Sequence, residues 1–144
     1  MPRISRKPVN KNLDKELKDN FAYLISSLST PLEIEQFFND FLTSEENMML
    51  SKRLMLHLML ENGYETSQIK AVLGISRETI RVHGHIWKSG GEKYKKTIQK
   101  IARREKTKEF WKKIEKLLKP IELVLESKTN MKSRAKFASG NFSD

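Results

Sequence analysis

The chain has 144 residues, one domain's worth of sequence, enough for one modest core or for a dimer that shares one. It contains no cysteine, which excludes a disulfide framework and a thiolate metal site. Its net charge of +10 points to a polyanionic partner, usually nucleic acid.

In chain order, residues 1–12 are basic and polar, without the apolar stretch of a signal peptide. No apolar run approaches the ~20 residues that span a bilayer, so a cytoplasmic protein is expected. Residues 1–12 and 127–144 are poor in apolar side chains and read as disordered tails. Between them almost every periodic segment has helical spacing, which predicts an all-α fold. Leu13, Leu17, Phe21, Leu24, Ile25 and Leu28 form the apolar stripe of a first helix. Thr30, Pro31 and Glu33 supply a cap, a first-turn proline and a capping box for a second helix. Its buried side is Ile34, Phe37, Phe38, Phe41 and Leu42. Thr43 and Glu46 form another capping box. The third helix that follows, to about Glu61, is apolar nearly all round and is expected to be central and buried on most sides. Such a helix in so short a chain calls for a partner subunit. Asn62 and Gly63 end it.

The segment 66–88 carries the function. Ile69, Val72 and Leu73 give a short helix its inner face, and Gly74 supplies a tight turn where a side chain would clash or strain the backbone. Ile75 plugs the angle, and Ser76 caps a second helix whose Ile80 and Trp87 face the core. Arg77, Glu78, Arg81, His85 and Lys88 are left facing outward, as a major-groove reader requires. The alternative is a helical hairpin with a charged, solvated face. Gly90 and Gly91 break the chain before a long basic segment of one or two helices. There Tyr94, Ile98 and Ile101 share one face, and Phe110, Ile114, Leu117, Leu118 and Ile121 another. Pro120 is expected to end or kink it. The charge is uneven: residues 13–64 hold four Lys/Arg against nine Asp/Glu, whereas residues 88–119 hold thirteen against four.

Lys70, four before the turn glycine, together with Leu42, Thr43, Ser44, Glu45 and Glu46, then Ser51, Lys52 and Arg53, resembles the Trp-repressor-like superfamily. Gly90 and Tyr94 are similar to the tail of its YerC/YecD-type members. The resemblance covers about half the chain, from about Leu28 to Tyr94. It implies a Trp-repressor-like helical bundle at 13–91 with a basic helical extension at 92–126. It also implies an intertwined homodimer that binds double-stranded DNA as a transcriptional regulator, most simply a repressor. The family's base-reading positions fall on Arg77, Glu78 and Arg81, and its phosphate-contacting positions near Thr66, Ser67 and Lys70. His85, Lys88, Lys95 and Lys96 add to the expected phosphate contacts, with Lys100, Arg103 and Arg104 beyond them. Deleting the chain from Arg103 onward is then expected to weaken binding and flatten its salt dependence. Of the family's two corepressor-binding arginines, one matches Arg53 and the other falls on Val82, so no tryptophan response is expected.

An enzyme is not expected. His83 and His85 point to different faces of one helix and make a poor metal pair. His57 reads as a hydrogen-bonded structural histidine. No nucleophile elbow, phosphate loop or dinucleotide fingerprint is present, and no metal or cofactor is called for. Two other readings stay open: an accessory DNA-binding subunit of a transposase or recombinase, and a helical module that binds RNA or protein through its basic helix.

Overall fold

The computed structural model describes residues 9–127; the expected disordered tails lie outside these residues except at the helix ends they include. The described residues form seven helices and no strand: α1 (Lys11–Ser27), α2 (Pro31–Phe41), α3 (Ser44–Glu61), α4 (Thr66–Leu73), α5 (Arg77–Ser89), α6 (Glu92–Ala102) and α7 (Glu105–Ser127). The fold is all-α, as its periodicity implies. The chain divides into two compact units within α3, between Ser51 and Lys52.

In the first unit α1 starts inside the expected tail, because the Asn10 side chain accepts from the Asn12 amide at 2.9 Å and caps it. The capping box of α2 forms as expected. Thr30 Oγ1 accepts from the Glu33 amide at 3.2 Å, and Glu33 Oε2 accepts from the Thr30 amide at 3.3 Å. The same reciprocal pair, Thr43 with Glu46, opens α3 at 3.2 and 3.0 Å. Phe37 and Phe41 stack with centroids 5.1 Å apart, and Phe21 of α1 lies 6.2 Å from Phe41. The expected buried side of α2 is only partly covered. No residue of α1 or α2 is buried, and Leu17 and Phe41 remain 53% and 55% exposed. Short helices of this size carry more apolar surface than they cover on one another.

In the second unit α3 buries one turn, Leu56, His57, Leu58 and Met59, while Leu54 remains exposed. The expectation of burial on most sides of α3 is thereby corrected, Met48 and Leu50 also being exposed. Gly63 ends the helix at φ +79°. Its amide donates to the Leu60 carbonyl and the Tyr64 amide to that of Met59, which satisfies two orphan carbonyls. Leu56 and Met59 then pack with Ile69, Leu73, Ile80, Ile114 and Leu118 in one core cluster; Leu58, Ile98 and Ala102 form a second.

The basic segment is two helices, separated at Arg103 and Arg104, and α7 lies against α4. Trp111 stacks on Tyr64 at 5.4 Å, and the Gln68 side-chain amide donates to Glu122 Oε1 at 2.9 Å. One expectation for α7 is corrected, and of the two outcomes expected at Pro120, an end or a kink, the helix does not take the first. Leu117 points out, 61% exposed, because the buried stripe is Ile114 and Leu118 with Ile121 beside them, a spacing of four and three that turns position 117 away. The helix also runs through Pro120. The proline forfeits a backbone donor there, while Leu118 and Ile121, held in the core on either side, anchor the helix across the gap.

Candidate nucleic-acid interface

Gly74 adopts the left-handed conformation at φ +60° and ψ 37°, and its amide donates to the Lys70 carbonyl at 3.0 Å. Nothing lies within 4 Å of where a Cβ would stand, so of the two reasons for glycine the backbone conformation is the operative one. Ile75 packs half-buried against the core, and Ser76 Oγ accepts from the Thr79 amide at 3.0 Å, capping α5. Ile80 and His83 are buried and Trp87 is half-buried on the inner side of α5. Arg77, Glu78, Arg81, His85 and Lys88 are all exposed. The two sides of α5 are thus separated as its sequence pattern requires.

Two of the three expected base-reading residues are engaged with each other. Arg81 Nε donates to Glu78 Oε2 at 2.9 Å and Arg81 Nη2 to Oε1 at 2.5 Å. The hydrogen bond from Arg81 holds the Glu78 carboxyl below its ordinary range, and the same bond raises the guanidinium. Both side chains are fully in solvent, where such a pair is weak and screened by salt. Arg77 makes no ion pair among the described residues. It shares a shallow cleft with Tyr64, Glu65, Thr66 and Ser67, so the turn brings it beside the first turn of α4. Thr66 and Lys70 are exposed and Ser67 is half-buried. On α6, Lys95 and Lys96 are exposed. Lys96 joins Gln99, Lys100, Arg103 and Arg104 in a separate open groove that contains no carboxylate; Lys95 does not line it. The expected contacts therefore fall on α5, α4 and α6, with Thr66, Ser67 and Arg77 sharing one cleft and Lys70 in the last turn of α4 outside it.

One cluster escaped the sequence reading. His57 is buried, as expected of a structural histidine, and its Nδ1 bonds the Tyr94 hydroxyl. The Tyr94 ring meets the His57 ring edge-on at 5.8 Å, and His83 of α5 lies 5.5 Å away on another side. Burial lowers both histidines, with Arg53 adding to each and His83 adding to His57. The available signal was Arg53 and His57, four apart on one helix. The outward turn of His85 away from His83 matches the sequence reading.

A helix-turn-helix whose second helix is capped, anchored inward and basic outward defines a DNA-binding regulator fold. The chain belongs to the Trp repressor family: the family model described as Trp repressor protein matches residues 16–102, more than half of its length. No curated protein and no solved structure matches it. The match ends at the last residue of α6, so α7 lies beyond it. The family is one of DNA-binding regulators, not of enzymes. No helix of the described residues is long and apolar enough to cross a membrane, and no group of three potential metal ligands occurs among them.

Proposed function

We propose that the protein is a sequence-specific transcriptional repressor that binds double-stranded DNA as a homodimer. The observation that carries this reading is α5 itself, capped by Ser76, seated by Ile80 and His83, and presenting Arg77, Glu78, Arg81, His85 and Lys88 to solvent. Arg77 and Arg81 read base edges in the major groove, with Glu78 steering Arg81 until a base replaces it. Thr66, Ser67, Lys70, His85 and Lys88 hold the flanking phosphates, and Lys95 and Lys96 of α6 extend that contact. Dimerisation is supported by the apolar surface left open on Leu13, Leu17 and Phe21 of α1 and on Met48 and Leu50 of α3. A two-fold assembly would place two recognition helices on a roughly palindromic site. The position expected to hold a second corepressor arginine is Val82, an exposed apolar side chain, so the repressor acts without tryptophan. Calorimetry should detect no micromolar L-tryptophan binding.

The test is selection of bound sites from a random duplex pool, with Arg77→Ala/Arg81→Ala as control. A palindromic consensus that the variant loses supports the reading. Salt-sensitive binding to any duplex without a consensus overturns sequence-specific reading and favours a general nucleic-acid binder.

A further inference from the structure

We propose that the buried histidines His57 and His83 form a pH-sensitive latch that holds the recognition helix α5 on α3 at neutral pH and releases it in acid, lowering DNA affinity. The proposal rests on the DNA-binding reading above. Its geometric basis is a junction of three helices. His57 comes from α3, His83 from the middle of α5, and Tyr94 from α6, and the rings are close enough that a charge on one is felt by the other. Both histidines are more than nine-tenths buried. Histidine is the side chain whose ordinary titration falls nearest neutrality, so a buried pair of them is a candidate acid-sensitive element.

The surroundings favour neutral rings. The groups that act electrostatically on the pair are Arg53, one turn before His57 on α3, which acts on both, and His83, which acts on His57; Tyr94 supplies a hydroxyl from α6. No carboxylate is among them. A protonated imidazole carries two N–H donors. His57 Nε2 and His83 Nδ1 have no hydrogen-bond partner among the described residues, so a proton added there would be buried without an acceptor. A neutral ring with its proton on the other nitrogen, which in His57 is the one that meets the Tyr94 hydroxyl, leaves a bare acceptor there, which costs less.

Tyr94 locks the arrangement. A Cβ on Gly90 would stand 2.9 Å from Tyr94 Cε1 and closer still to Cδ1, so glycine at the α5–α6 junction is what lets this ring reach His57. Protonation of His57 or His83 therefore acts on the seat of α5 from both sides, at its middle through His83 and at its end through Tyr94. The direction is diagnostic. A DNA-binding surface that merely gains positive charge in acid binds phosphate more tightly, whereas release of α5 weakens binding.

The experiment compares pH 7.5 with pH 5.5 at constant ionic strength, using full-length protein and labelled duplex DNA, either the selected site or the random pool. Wild-type affinity should fall about fivefold or more, as when the competent fraction drops to about a fifth. His57→Gln/His83→Gln should flatten or reverse that change. Wild-type affinity that holds or rises in acid overturns the proposal. Backbone amide protection of α5, corrected for intrinsic exchange and measured without DNA, is the second readout. It should fall selectively over residues 80–87 in acid, and unchanged protection also overturns the latch. If no duplex binds at either pH, the DNA-binding reading fails and protection alone decides the latch. If the double variant does not fold, the wild-type protection and affinity profiles decide it.

Discussion

The Ser76 hydroxyl accepts from the Thr79 amide and also bonds the Thr79 hydroxyl, and α5 presents every expected base-reading side chain behind that cap. Ser76→Ala should cost about 1 kcal/mol of stability in a urea titration. Gly90→Ala should cost more, about 1–3 kcal/mol, because the added methyl must push the Tyr94 ring from its place against His57. The same neighbourhood sets a pH dependence. Both buried histidines are depressed below their ordinary value of 6.5, so the unfolded chain takes up protons first as pH falls. Their contribution to stability is complete above about pH 6.5 and is lost progressively below it. Urea midpoints measured from pH 8 to 5 should show that decline, and it should shrink in His83→Gln. Arg77 and Arg81, although both exposed, are not equivalent, since only Arg81 begins in the grip of a carboxylate.

At the scale of elements, α7 has the most to say. Its sequence shows only a shared apolar face from Phe110 to Ile121, and its Ile114 and Leu118 are core residues shared with α3, α4 and α5. Leu118→Ala should therefore destabilise the protein by about 2–5 kcal/mol. Thermal unfolding followed by circular dichroism would measure it. Truncation at Arg103 would strip that core and cannot isolate electrostatic contacts, which corrects the deletion first expected to do so. Charge removal on α6 can. Lys96→Gln and Lys100→Gln leave the packing of Ile98 untouched, and each should lower the slope of log K against log salt by about 1 if its charge meets a phosphate. An unchanged slope would remove α6 from the interface.

At the scale of the whole molecule, the proposed homodimer can be tested on the open apolar surface of the first unit. Leu17→Glu/Phe21→Glu should convert a dimer to a monomer in sedimentation velocity, and should weaken binding to a two-half-site duplex far more than to a single half-site. The uneven charge also belongs to this scale. The acidic stretch at 13–64 and the basic stretch at 88–119 put the positive charge that would meet DNA in the second unit.

Local signals were legible in the sequence because their physics is local. The capping boxes at Thr30 and Thr43, the glycine turns at 63 and 74, the Ser76 cap and the inward and outward sides of α5 each depend on residues within about one turn of one another. The same periodicity turned Arg77, Glu78 and Arg81 outward, and the family resemblance is what assigned them to base reading. What depends on distant parts of the chain was not legible. No local pattern says that α7 folds back on α4, that Leu117 turns out while Leu118 turns in, or that Pro120 is carried through by its anchored neighbours. Residues 26 and 37 positions apart bring His57 to His83 and Tyr94, and that junction exists only once α3, α5 and α6 have packed. Helix spacing is written in neighbouring side chains, whereas burial and charge proximity are properties of the packed chain.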